Sequence, residues 1–155
     1  MEATTIKTGI FATLAAAGSI VANWLGGWDA ALKVLLFMMA MDYLTGLALS
    51  GIFHKSPKTE NGMLASGECF KGLVRKLLIL VYVMVAVMLD NVLGTATQAL
   101  GAAYVRTAVI LFFIANEGLS IIENTALMGV PYPAFLKKML EALKEKNDGG
   151  GESGD

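Results

Sequence analysis

Residues Arg106–Asn124, RTAVILFFIANEGLSIIEN, combine an apolar stretch with a run of polar residues. From Thr107 to Ala115 the stretch is apolar apart from its first residue, as expected of a helix that crosses a membrane. It is followed by polar residues that share one face of a helix: Asn116, Glu117, Ser120, Glu123 and Asn124. A carboxyl group in the middle of a membrane span costs about 2.5–3.5 kcal/mol on insertion scales. We therefore expect this polar face to contact other helices, a water-filled cavity or copies of the same protein.

The composition favours a membrane protein of one domain. The chain has 155 residues, of which 55% are hydrophobic and only 16% are charged, whereas ordinary soluble domains have about 25% charged residues. The net charge of −1 gives no reason to expect a nucleic-acid partner. The single cysteine, Cys69, and the single histidine, His54, argue against a disulfide framework and against a metal cluster.

Hydropathy predicts an all-α integral membrane protein with about four transmembrane helices. The expected spans are residues 9–25, 30–53, 73–93 and 102–124. The first is short and rich in Ala and Gly, with small residues at helical spacing that would let helices approach closely. Three alternatives stay open for it: a weak span without a packing role, a signal peptide, and a helix lying on the membrane surface.

The C-terminal region is expected to leave the membrane. Pro131 and Pro133 stop a helix, and residues 131–146 predict an amphipathic cytoplasmic helix that lies on the membrane surface or binds a partner. Residues 147–155 predict a flexible acidic tail.

The distribution of Lys and Arg predicts the orientation. The region 54–76 has five such residues and the region after 130 has four, whereas the turns at 26–29 and 94–101 have none. By the positive-inside rule, four spans put both basic regions and both termini in the cytoplasm. Lys33, Asp90 and Arg106 then lie near the outer ends of their helices, where Asp90 is expected to pair with either cation. Asp42 and Glu117 lie deeper, with no obvious cation at their own level.

The sequence shows no enzyme site. It lacks a Gly-rich phosphate loop, a Ser-His-Asp set and an H-E-x-x-H motif. The polar face has no nucleophile with a base beside it and no metal ligand set, so no catalytic residue, cofactor or metal is predicted. Two interpretations of the carboxyl groups remain: helix packing through hydrogen bonds, or a wet interface formed on assembly.

Several segments resemble the bacteriophage holins of the toxin-secretion and phage-lysis type, which include holin-like proteins beside clostridial toxin genes. They cover about residues 30–140 in order: MDYLTG at 41–46, KGLVRK at 71–76, Leu89-Asp90, NEGLSIIEN at 116–124, and GVPYP at 129–133. The resemblance implies a protein that accumulates in the host cytoplasmic membrane, oligomerises at a set time and permeabilises it. An endolysin, with no direct contact required, then reaches the peptidoglycan, or a toxin is released.

On this interpretation Asp42 and the polar face at Asn116, Glu117, Ser120, Glu123 and Asn124 line the pore or the interface between copies. The expected partners are the chain itself and the lipid bilayer. Two other functions stay open. One is a small ion channel or proton-coupled transporter built on Asp42, Asp90 and Glu117, and the other is an antiholin or membrane adaptor that uses the 54–71 loop and the C-terminal helix.

Overall fold

The computed structural model describes residues 2–59, 61–96, 104–136 and 138. Four helices make up most of this part of the chain, and no strand occurs in it. They are α1 (Glu2–Trp24), α2 (Ala30–Gly51), α3 (Ser66–Ala96) and α4 (Tyr104–Leu127). All four are long and apolar enough to cross a membrane. The predicted all-α fold, with four helices able to cross a membrane, is therefore confirmed.

The turn between α1 and α2 is fixed by glycine and aspartate. Gly26 and Gly27 both have positive φ, at 84° and 107°, and the Gly27 N–H donates to the Ala22 carbonyl at 2.8 Å, which satisfies an end carbonyl of α1. Asp29 then caps α2, because its side chain accepts a hydrogen bond from the Leu32 N–H at 2.9 Å.

Helices α2, α3 and α4 form the packed part of the molecule. α4 lies between α2 and α3, which hardly contact each other. The contacts below place α2 and α4 parallel and α3 antiparallel to both. Their shared core consists of Leu25, Leu32, Leu35, Met39, Ile79, Val83 and Ile110.

Large apolar side chains also cover the outside of these helices. Phe37, Leu77, Tyr82 and Phe112 are all more than half exposed, a surface typical of contact with lipid rather than water. In lipid the hydrophobic effect does not drive helices together, so packing and interhelical polar contacts must hold them. The polar contacts between α2, α3 and α4 are therefore central to the fold.

Helix α1 differs from the other three. None of its side chains from Ile6 to Trp24 is buried. Its length and hydropathy suit a span, with Ile6–Trp24 as the candidate segment, but it adds nothing to the core.

Two predicted segments fall largely outside the described residues. Of the amphipathic helix at 131–146, residues 134–136 and 138 are described and helical. The acidic tail predicted at 147–155 lies outside that part of the chain, and so do residues 97–103.

Candidate functional site: two polar clusters within the helix bundle

An ion-pair cluster joins the three packed helices. The Lys76 Nζ atom on α3 lies 2.7 Å from Oδ2 of Asp42 on α2, and it also donates to Oε2 of Glu117 on α4. Glu117 is only 4% exposed, and the side chains of Lys76 and Asp42 are 12% and 19% exposed. We call Asp42, Lys76 and Glu117 the Lys76 cluster.

Polar side chains of α2 and α4 complete this cluster. The Asn124 amide donates to Oδ1 of Asp42 at 3.2 Å and to Oγ1 of Thr45 at 3.1 Å. Each carboxylate oxygen of Asp42 therefore has a donor. Because every buried polar atom needs a partner in a low-dielectric region, these bonds fix how α2 and α4 lie against each other.

A cavity of about 340 Å³ opens beside the Lys76 cluster. It is bounded by α2, α3, α4 and the loop that joins α2 to α3, with Ser56, Pro57, Lys58 and Thr59 among the loop residues at its edge. Four residues of the predicted polar face line it: Asn116, Glu117, Ser120 and Asn124. Glu123 is half-buried and is not part of this lining. The face is about 120° wide at about 100° per residue, and Glu123 lies at one edge of it.

A second cluster closes the opposite end of the three-helix core. Arg106, only 5% exposed, donates from Nη1 to Oδ2 of Asp29 at 2.6 Å, and from Nε to the Leu25 carbonyl at 2.6 Å. These contacts tie α4 to the α1–α2 turn. Asp29, Asp90 and Arg106 are called the Arg106 cluster below.

Asp90 does not make the side-chain ion pair expected from the sequence. Its two carboxylate oxygens accept from the backbone N–H groups of Val105 and Arg106, at 2.9 and 2.8 Å. The N–H groups in the first turn of a helix have no partner within the helix. A carboxylate at this end accepts hydrogen bonds from them, and its negative charge interacts favourably with the helix dipole. The guanidinium of Arg106 turns instead to Asp29, while the side chain of Lys33 is exposed.

The ion pair changes the titration of Asp29. The hydrogen bond from the Arg106 guanidinium holds the pKa of the Asp29 carboxyl below its usual value, with the bond from the Leu32 N–H acting in the same direction. Asp29 thus stays ionised at neutral pH while it caps α2 and pairs with Arg106.

The expectation that Asp42 and Glu117 lack a cation at their own level was wrong. The sequence reading grouped Lys76 with the basic residues around the α2–α3 loop, but α3 begins at Ser66. Lys76 is ten residues further along, which places it about 15 Å inside the helix. Hydropathy placed the start of this span at residue 73, where the apolar run begins. Lys76 therefore seemed to lie at the very end of the helix rather than well inside it. Asp29 was missed as a partner of Arg106 for another reason: only the parallel packing of α2 and α4 brings the two together.

This arrangement places paired charges and polar groups beside a cavity, within helices that are long and apolar enough to cross a membrane. The two clusters are about 16–21 Å apart along the helices, with the apolar core between them. Within the described residues no group of His, Cys, Asp and Glu is placed to hold a metal ion. The charges of the Lys76 cluster thus lie beside a cavity that the α2–α3 loop borders at one end of the bundle.

Comparison with known proteins relates this chain to phage proteins. Residues 19–145 match the bacteriophage holin family. A probable holin of Bacillus phage phi105 is 32% identical over 117 residues, which cover 76% of each chain. An uncharacterised protein of Clostridium perfringens strain 13 is 41% identical over 127 residues, covering 81% of this chain and 84% of the relative. An uncharacterised protein of Listeria monocytogenes is 35% identical over 130 residues, covering 84% and 83%.

No solved structure matches the chain. The family match covers the Lys76 cluster, the Arg106 cluster and all three packed helices. The chain is therefore a membrane protein that belongs to the bacteriophage holin family.

Proposed function

We propose that this protein oligomerises in the bacterial cytoplasmic membrane and permeabilises it at a set time, so that an endolysin reaches the peptidoglycan and the cell lyses. The observation that carries the proposal is where the polar groups lie. Asp42 and most of the polar face of α4 surround one cavity inside a protomer whose outer surface is apolar.

A protomer of this kind is suited to a period of harmless accumulation. Its lipid-facing side chains are apolar, and the charged groups at membrane depth are paired. A protein-sized hole, by contrast, needs a wall that water can wet. The face with Asn116, Glu117, Ser120 and Asn124 supplies such a wall once copies assemble and the helices rearrange.

The proposed orientation places the Arg106 cluster at the outer surface and both termini in the cytoplasm. Lys55 and Lys58 of the α2–α3 loop would then lie inside, together with the basic residues after Pro133, as the positive-inside rule requires. Trp24 and Trp28, both more than 60% exposed, would lie at the outer interface, where tryptophan is common. Helix α1 crosses the membrane in this proposal, because its Ile6–Trp24 segment is long and apolar enough to do so, and four spans then place the N-terminus in the cytoplasm.

The charged cavity also favours a second candidate, a small ion-selective channel or proton-coupled transporter. Such a protein would move ions through one protomer and would not release folded proteins. An antiholin is the third candidate, and it would cause no permeability by itself.

Induced expression in bacteria, with and without an endolysin that has no secretion signal, separates the three. Optical density reports lysis and a potential-sensitive dye reports depolarisation. The proposed function predicts abrupt depolarisation after a delay, with lysis only when endolysin is present. Depolarisation without lysis in the presence of endolysin would indicate a channel, and no effect at confirmed membrane expression would indicate an antiholin or adaptor.

A further inference from the structure

Lys76 occupies a position that the proposed function leaves unexplained. It is the α3 residue that reaches across to both α2 and α4 in the Lys76 cluster. Since α2 and α3 hardly contact each other directly, the two ion pairs of Lys76 are a main polar link between α3 and the other two helices. The side chain is nearly buried and about 15 Å from the start of its helix.

The charge of this cluster is not balanced. Asp42 and Glu117 contribute two carboxylates and Lys76 one ammonium, so the ionised cluster has one negative charge in excess. Three further charged residues line the same cavity: Lys58, Glu68 and Arg75. All three lie at the loop end of the bundle, and none of them forms an ion pair with Asp42 or Glu117.

We propose that Lys76 is the positioning residue that keeps the polar face inside the protomer, and that the lesion forms only after Lys76 separates from Asp42 and Glu117. This inference rests on the proposed function and specifies its regulation. While Lys76 bridges the two carboxylates, α3 covers the face lined by Asn116, Glu117 and Ser120. Separation leaves two carboxylates close together without a counter-ion, and both then gain from contact with water.

The excess negative charge predicts effects of opposite sign for the two kinds of substitution. Removing the cation with Lys76→Met leaves two like charges facing each other in a partly buried site, where charge repulsion is strong. The closed protomer is weakened and lysis should come earlier. Removing one anion with Glu117→Gln leaves one cation and one carboxylate, a balanced pair, and the amide oxygen can still accept from Lys76. The closed protomer is strengthened and lysis should come later.

The test measures the time from induction to lysis in cells that also express a cytoplasmic endolysin, at membrane levels matched by immunoblot. Lys71→Met is the matched control, because it removes a positive charge from the same helix at a position that is 65% exposed and outside the cavity lining. Its lysis time should equal that of the wild type. Lys76→Arg keeps the charge and should lie closer to the wild type than Lys76→Met does.

Opposite shifts, earlier for Lys76→Met and later for Glu117→Gln, support the inference. Thermal stability in detergent is measured beside the lysis time, because a residue that only stabilises the fold would shift the melting temperature and leave the lysis time unchanged. Equal lysis times, or shifts in the same direction, overturn the inference. If Lys76→Met does not accumulate in the membrane, Glu117→Gln decides alone: later lysis supports the inference, and unchanged or earlier lysis overturns it.

The failure of this inference is distinct from the failure of the proposed function. If the wild-type protein with endolysin does not lyse the cells, the proposed function fails. If the wild-type protein lyses the cells after a delay, but the lysis times of the variants do not shift in opposite directions, the proposed function is supported and the proposed role of Lys76 is wrong.

Discussion

The Nζ atom of Lys76 lies 2.7 Å from Oδ2 of Asp42 although the two residues are 34 positions apart on different helices. The same atom donates to Glu117 of a third helix. One ammonium group therefore fixes the relative position of three helices at membrane depth. Since the hydrophobic effect does not hold helices together in lipid, this contact is expected to dominate both the stability of the protomer and its opening.

Removal of Lys76 should destabilise the folded protein. Breaking a buried ion pair by removing one partner lowers the free energy of unfolding by about 3–5 kcal/mol. We expect a loss near the lower end of this range for Lys76→Met, because the cluster borders a cavity. Thermal unfolding in detergent, followed by circular dichroism, gives the measurement. The triple variant Asp42→Asn, Lys76→Met, Glu117→Gln removes all three charges and should recover most of the loss. A triple variant as unstable as Lys76→Met would show that packing of the Lys76 stem matters more than its charge.

Asp29 should have two separable roles. Asp29→Asn loses the ion pair with Arg106 but keeps a side-chain oxygen for the Leu32 N–H, because Asn caps helices about as well as Asp. Asp29→Ala loses both, and should be less stable than Asp29→Asn by about 1 kcal/mol. Equal stability of the two variants in detergent would contradict the capping role of the Asp29 side chain.

The same pair gives a prediction about pH. The pKa of Asp29 is lowered in the folded protein, so its ion pair stabilises the fold above the pKa of the unfolded chain and is lost as the pH falls through the lower folded value. An ordinary aspartate has a pKa of about 3.9. The difference in unfolding free energy between the wild type and Asp29→Asn should stay constant in the neutral range and decrease only in strong acid. A difference that shrinks near neutral pH would contradict this assignment.

Gly26 should not tolerate a side chain. Its φ is 84°, and an added Cβ would lie 2.5 Å from Nε and 2.7 Å from Cδ of Arg106. Gly26→Ala should therefore displace the guanidinium from Asp29 and add backbone strain of about 1–3 kcal/mol. Gly18→Ala is the control, because nothing lies within 4 Å of its added Cβ and it is inside α1. A Gly26→Ala variant as thermally stable as Gly18→Ala would contradict the close approach of Arg106.

The single cysteine tests the proposed orientation without any mutation. Cys69 is partly exposed near the start of α3, at the end proposed to face the cytoplasm. A thiol reagent that does not cross membranes should label it in inverted vesicles and not in intact spheroplasts. Trp28→Cys in a Cys69→Ser background should show the reverse pattern. Labelling of Cys69 from outside would contradict the orientation.

The sequence predicted much of the fold because membrane spans leave a strong local signal. Apolar length located all four helices, and helical spacing placed Asn116, Glu117, Ser120 and Asn124 on one face before any contact was known. These features depend on residues that are close in the chain. The relation to holins rested on short motifs, and the family match confirms it.

Contacts across helices were beyond reach of the sequence for a physical reason. Which cation meets which carboxylate depends on the order and direction in which α2, α3 and α4 pack. Lys76 was counted with the basic residues of the region 54–76, and Asp29 with the turn at 26–29, although each pairs with a residue more than 30 positions away. Asp90 was expected to pair with a cationic side chain. Its carboxylate instead accepts from the N–H groups at the start of α4, which have no acceptor within the helix.

We propose that this protein opens a lesion large enough for folded proteins to pass. The most direct measurement uses the purified protein in lipid vesicles loaded with both a small dye and a folded endolysin. We predict that dye and endolysin are released together, after a delay that shortens as the amount of protein per vesicle rises. Release of the dye alone, with the endolysin retained at every protein density, would contradict it.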